Sequence, residues 1–123
     1  MRVLLADDEP QVRSALRLLL EQQPDLDVAG EAGERQALLT TLPAARADLV
    51  LLDWELPGGP PADLVVAMRR VDADLRILAL SCQPEAREAA LAAGANGFVS
   101  KCDPPEVMLA ALRRTTAPDR RQE

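Results

Sequence analysis

Four short apolar runs each end on a polar group, and no other feature constrains the fold of this chain as tightly. They are Val3-Leu4-Leu5-Ala6 before Asp7-Asp8, Leu49-Val50-Leu51-Leu52 before Asp53, Ile77-Leu78-Ala79-Leu80 before Ser81, and Gly97-Phe98-Val99-Ser100 before Lys101. The first three are continuously apolar rather than alternating, the pattern of strands covered on both faces. The stretch from Leu26 to Ala32 alternates more and reads as an edge strand. Helical patterns separate the runs from end to end, which is the signature of βα units around a parallel sheet. In such a sheet the C-terminal strand ends fall on one edge, where open α/β folds place their ligands. Three carboxylates, a hydroxyl and an amine would then share one cleft.

The spacing predicts five helices. The first begins near Pro10, turns Val12, Ala15, Leu16 and Leu19 inward and stops before Pro24. The second runs from about Glu34 to Leu42 and is ended by Pro43. The third follows Pro60-Pro61, carries Leu64, Val65 and Met68 on one face, and places Arg69-Arg70 where cations suit the helix dipole. The fourth, from about Pro84 to Ala93, is rich in alanine and therefore the most loosely anchored; Gly94 is its left-handed cap. Asp103-Pro104-Pro105-Glu106 opens the fifth as a cap, a proline first turn and a capping-box acid, with Val107, Met108, Ala111 and Leu112 inward. Residues 1–114 make one domain, and 115–123 read as a tail or the start of a linker.

Composition narrows the chemistry. The 123 residues are 48% hydrophobic but only 2% aromatic, so the core is Leu, Val and Ala. A net charge of -6 argues against this chain alone docking on nucleic acid or an anionic membrane. Histidine is absent, which removes Ser-His and Cys-His nucleophile pairs and the commonest transition-metal ligand. Cys82 and Cys102 make neither a zinc site nor a disulfide framework; each follows a strand-end residue, which would put them on neighbouring loops, with plain reduced thiols as the default reading and a redox pair as the alternative. The start, Met1 to Ala6, is too short for a signal peptide, and no run approaches membrane-spanning length, so the sequence reads as a soluble cytoplasmic protein.

Carboxylates gathered in a cleft repel one another, by about 1 kcal/mol per pair at ~4 Å in water and several-fold more at lower dielectric. A hard cation makes the cluster tenable, and oxygen-only ligands suit Mg2+ better than zinc or copper. An aspartate beside such a cation is a competent nucleophile toward a phosphoryl group. Lys101 offers the phosphate a point charge and Ser81 a rotatable donor. Singly, each residue also has an ordinary role. Asp7-Asp8 would be loop acids at a helix start, Asp53 a turn acid, Ser81 a helix cap and Lys101 a solvated surface lysine. The combination, in this order and at these strand ends, is far more specific than any member.

With those residues placed, the chain resembles a response-regulator receiver domain over residues from about 2 to 114. Asp7-Asp8, Asp53 within Asp-Trp-Glu-Leu-Pro-Gly, Ser81 and Lys101 stand at the family's five positions. The resemblance implies an α/β fold: a doubly wound five-stranded parallel sheet in the flavodoxin-like order 2-1-3-4-5, with five helices. It implies Asp53 as phosphoacceptor, with Asp8, Asp53 and the backbone carbonyl of Glu55 ligating Mg2+ and Asp7 acting largely through a bound water. Ser81 and Lys101 would contact the phosphoryl group. Phe98, three residues before the lysine, takes the aromatic switch position; its alternative is ordinary core. Phosphorylation adds about -1.5 to -2 charges, and the resemblance implies that Ser81 then moves toward the phosphate while Phe98 turns inward, remodelling the fourth helix and fifth strand.

The implied function is a phosphorylation-activated switch, a self-phosphorylating and slowly self-dephosphorylating phosphotransfer module rather than a turnover enzyme. Its partners would be a sensor histidine kinase or phosphotransfer protein and, on phosphorylation, a second copy of the chain. The segments Asp48 to Gly59, Ser81 to Gly97 and Lys101 to Leu112 are most similar to receivers of the helix-turn-helix output subfamily (NarL/LuxR-like). Transcription would then be regulated through an output domain beyond this chain, and DNA would be reached only through it. Two rivals use the same residues differently. A phosphorylation-independent interaction module would not need the intact five-residue set. A haloacid-dehalogenase-like phosphatase expects Asp-x-Asp at the first strand, which Asp7-Asp8-Glu9 does not supply. Two positions depart from or tune the pattern. The loop Gly59-Pro60-Pro61-Ala62 replaces the family's usual acid or asparagine before glycine. Glu55 and Gln83, two residues after the acceptor and the switch serine, stand where the family sets phosphoryl lifetime, and Glu55 is placed to orient or repel the attacking water.

Overall fold

The computed structural model describes residues 1–115. Ten elements alternate without exception: β1 (Arg2–Ala6), α1 (Pro10–Glu21), β2 (Asp27–Ala32), α2 (Arg35–Ala45), β3 (Leu49–Asp53), α3 (Pro61–Val71), β4 (Arg76–Ser81), α4 (Ala86–Ala92), β5 (Gly97–Ser100) and α5 (Pro105–Thr115). All strand pairs are parallel and the order is β2-β1-β3-β4-β5, as expected. The tail expected over 115–123 lies outside the described residues, except that Thr115 closes α5.

Period-two alternation along the central strands divides the core into two layers. Leu4, Val50, Leu52, Ile77 and Ala79 face α2, α3 and α4, where they meet Leu38, Leu64, Met68 and Ala90. Val3, Leu5, Leu49, Leu51, Leu78 and Leu80 face α1 and α5, where they meet Leu20, Met108 and Leu112. Every residue of β3 is buried. That is why the central runs carry no polar alternation, and why the first polar side chain each one reaches is at its end.

Several helix expectations need correction. Pro43 does not end the second helix but lies inside α2, which continues to Ala45. Proline removes one hydrogen bond there, but Leu42 and Ala45 are both buried, and a fully buried leucine contributes about 1.5–3 kcal/mol. The helix stops instead at Arg46, whose φ of 51° is left-handed. In α1 the fully buried residue is Leu20, while Ala15 is exposed and Val12, Leu16 and Leu19 are half-buried, because they line an open groove between α1 and α5. Val107 likewise points outward from α5. The fourth helix is shorter than its alanine run, seven residues, and buries only Ala86 and Ala90. Gly94 does take the left-handed conformation after it, with φ 110°.

Candidate functional site

The strand ends converge as the parallel topology requires. Asp53 is the last residue of β3 and Asp7 the first after β1, and each is about 1% exposed. Asp8, one residue further into the loop, is exposed. Each buried aspartate folds its own loop: Asp7 Oδ1 accepts from the Glu9 amide at 2.9 Å, and Asp53 Oδ1 from the Glu55 amide at 2.9 Å. These are local side-chain to backbone bonds of the kind that lock an aspartate's rotamer at a turn.

Lys101 reaches in from the end of β5. Its Nζ lies 2.8 Å from Asp7 Oδ2 and 3.2 Å from Asp53 Oδ1, so one ammonium bridges both buried carboxylates. The approach to Asp7 Oδ2 lacks hydrogen-bond alignment, which leaves that oxygen buried with an ionic partner only. The electrostatics follow from burial set against pairing. Burial raises the Asp53 pKa to about 6, and the Asp7 charge adds to the rise, while the Glu55 amide and Lys101 oppose it. Burial disfavours the Lys101 ammonium, but its close pairing with Asp7 and the charge of Asp53 outweigh it and hold the amine above its ordinary value. Lys101 is therefore charged, and Asp53 gives up its proton less readily than an ordinary aspartate.

Carboxylate oxygens of Asp7, Asp8 and Asp53 all lie within 4.8 Å of one another. Opposed ligands of an octahedral ion at ~2.1 Å stand about 4.2 Å apart, so the three can share one small hard cation. The donor set is oxygen only, which fits Mg2+.

Ser81 ends β4, fully buried, beside Lys101, whose amide donates to the Ser81 carbonyl at 3.0 Å. Its hydroxyl does not cap α4. It accepts from the Gln83 amide at 3.0 Å and donates to the Glu55 carboxylate, with Oγ to the two carboxylate oxygens at 2.9 and 3.1 Å. Phe98, in β5, is half-buried against the α2–α4 layer, and Arg87 of α4 stacks over its ring with the guanidinium carbon 6.0 Å from the centroid. Cys82 and Cys102 are both exposed on the adjacent loops; desolvation, and then its neighbour Cys102, push the Cys82 thiol up, which keeps it in its less reactive protonated form.

Three contacts were not legible in the sequence reading. The Glu55 side chain, considered there for its carbonyl and for water, grips Ser81. Arg87 covers Phe98. Arg35, at the start of α2, fixes the loop after Asp53: its amide donates to the Pro57 carbonyl at 3.0 Å and its guanidinium to the Pro60 carbonyl at 3.1 Å. Gly58 and Gly59 take φ of 118° and 142° against it, and a Cβ on Gly58 would stand 2.7 Å from Arg35 Cβ. The paired glycines are the one signal that pointed to a close approach there.

Comparison with known proteins places this geometry. Residues 3–113 match the family model described as the response regulator receiver domain. The nitrate/nitrite response regulator protein NarP of Escherichia coli is 35% identical over 114 residues, covering 91% of this chain and 53% of NarP. The DNA-binding transcriptional activator DevR/DosR of Mycobacterium tuberculosis is 41% identical over 103 residues, covering 82% of this chain and 48% of that protein. This chain thus spans about half the length of these curated relatives. Among solved structures, the isolated REC domain of RcsB from Salmonella enterica, determined with the phosphomimetic BeF3-, superposes with a TM-score of 0.81 at 32% identity, covering 93% of this chain and 88% of that one.

Proposed function

The chain belongs to the response regulator receiver domain family, and on that basis we propose that residues 1–114 form a switch that takes a phosphoryl group onto Asp53. The observation that carries this reading is the Lys101 ammonium set between the buried carboxylates of Asp7 and Asp53 at the C-terminal edge of the sheet. Asp7, Asp8 and Asp53, with the backbone carbonyl of Glu55, would hold Mg2+. When bound, the ion offsets the negative charge shared by the acceptor and the phosphoryl oxygens.

The residues of this chain then have separable tasks. An oxygen of Asp53 attacks phosphorus in a phosphohistidine of the partner kinase; a P–O bond forms, the P–N bond breaks and the leaving imidazole takes up a proton. Lys101 stays charged throughout and neutralises a phosphoryl oxygen in the transition state. Ser81 donates its hydroxyl to another phosphoryl oxygen. The added charge of about -1.5 to -2 is read out through Ser81 and Phe98 into α4 and β5. NarP and DevR/DosR are about twice the length of the chain matched, and DevR/DosR is a DNA-binding transcriptional activator, which supports an output domain that acts on transcription.

Trp54 provides the test. It adjoins the acceptor, is about 8% exposed, and its amide donates to the Leu80 carbonyl at 2.8 Å. Its fluorescence should respond to Mg2+ and then to beryllofluoride, and Asp53→Asn should remove the second response and all phosphate incorporation from acetyl phosphate. A silent tryptophan in the folded wild type would instead favour an interaction module that works without phosphorylation.

A further inference from the structure

A serine hydroxyl carries one proton, and in this structure that proton is already committed. One donor and one acceptor flank the Ser81 oxygen: the Gln83 amide can only donate to it, and the Glu55 carboxylate can only accept from it. The hydroxyl hydrogen is therefore directed at Glu55, whose two oxygens stand 2.9 and 3.1 Å away. The serine is fully buried, so water reaches the bond only from the side of the exposed Glu55 carboxylate. Charge-assisted bonds of this kind are about twice as strong as neutral ones.

We propose that Glu55 is a positioning residue that latches the Ser81 hydroxyl in the unphosphorylated state, so that a phosphoryl group on Asp53 must win the Ser81 proton from the Glu55 carboxylate. The inference rests on the reading of Ser81 as a phosphoryl contact. It differs from a simple electrostatic role for Glu55: a carboxylate that merely repels an incoming anion or attacking water would act whether or not Ser81 had a hydroxyl. A latch acts only through it. The backbone makes the competition local. The Asp53 carboxylate already orders the Glu55 amide at 2.9 Å, so the acceptor and the base of the latch are one turn, and modification of Asp53 perturbs both at once.

The two readings separate in a double-mutant cycle on the full chain. Beryllofluoride affinity in saturating Mg2+ is measured by Trp54 fluorescence, and the rate of phosphate incorporation from acetyl phosphate is measured beside it, for wild type, Glu55→Ala, Ser81→Ala and the double variant. Releasing the proton in Glu55→Ala should tighten beryllofluoride and speed incorporation by about tenfold. Glu55→Gln, which keeps the reach but offers a neutral acceptor, should fall between. In the Ser81→Ala background the Glu55 substitution should change either quantity by less than about twofold, within the usual scatter of uncoupled sites. Equal gains with and without the hydroxyl would overturn the latch in favour of plain charge repulsion, and weaker binding by Glu55→Ala would overturn it outright. Because Glu55 is exposed apart from this contact, its variants fold independently of the outcome. A wild type that ignores beryllofluoride would instead sink the phosphoacceptor reading, a result distinguishable from loss of the latch alone.

Discussion

Along the C-terminal edge of the sheet, the segments carrying Asp7 and Asp53 and the segment running from Ser81 to Phe98 are secured by different means. β1 and β3 are central strands, buried on both faces by leucines and valines, and each aspartate is tied to its own turn by a backbone amide. α4, in contrast, anchors itself with two alanines, and Phe98 beneath it is only half-buried. Chemistry that needs atoms held within fractions of an ångström sits on the first region. Elements that move in a switch are drawn from the weakly held part of a fold, which describes the second.

The sharpest way to break this contrast is to change one charge on each side of it. Lys101→Met keeps the length of the side chain and removes the one cation that, among the described residues, touches both buried carboxylates. Phosphate incorporation from acetyl phosphate should fall about 10²-fold or more, the loss typical of deleting a preorganised transition-state charge. Arg69→Met, at the foot of α3 and remote from the cleft, should leave the rate unchanged. A small effect of Lys101→Met would mean that the strand-end geometry does not carry the chemistry.

Stability should divide the same way. Leu52→Ala, in the fully buried centre of β3, should cost about 2–5 kcal/mol in urea unfolding. Ala90→Gly, in the buried face of α4, should cost about 1 kcal/mol, mainly through backbone entropy. Amide exchange should follow, with α4 opening well below the free energy of global unfolding and β3 only with it. Equal protection in both would erase the distinction between a rigid and a responsive half.

The acceptor's ionisation sharpens the comparison through pH. A carboxyl whose pKa is raised on folding, here from 3.8 to about 6, binds its proton more tightly in the folded state. Its contribution is therefore full below pH 3.8 and is lost as pH rises through about 6, which amounts to on the order of 3 kcal/mol. Glu31 works in the opposite sense, since its hydrogen bond with Arg17 holds it below the usual carboxylate range despite burial. The measurement is thus the difference between metal-free wild type and Asp53→Asn: the variant should gain relative stability between pH 4 and 6 and keep it above. A flat difference across that window would contradict the raised pKa.

Much of the rigid half was legible because continuous apolar runs and their polar stops report burial directly. Asp7, Asp53, Ser81 and Lys101 meet because parallel strands ending in register must bring their next residues together, and no side-chain detail was needed. What escaped depended on contacts between distant segments. The reach of Glu55 to Ser81 spans two strands, and the hold of Arg35 on Gly58 and Gly59 joins α2 to the loop after β3. Pro43 failed as a helix stop for a similar reason: local propensity marked an end, and the burial of Leu42 and Ala45 overrode it. Exposure of Ala15 reflects a groove between α1 and α5 that helical periodicity cannot register.

The smallest expected effect bears on the responsive half. Arg87 lies over Phe98 at 6.0 Å, at the outer limit of a cation–π contact and near solvent, so Arg87→Ala should lower stability by only about 0.5 kcal/mol. Its value is diagnostic. If α4 and β5 move against each other when Asp53 is modified, this contact exists in one state and not the other. Its removal should then shift beryllofluoride affinity by about twofold while leaving Mg2+ affinity untouched. An Arg87→Ala variant with both affinities unchanged would mean that the arginine only shields an aromatic ring from water, and that Phe98 stays where it is when the acceptor is filled.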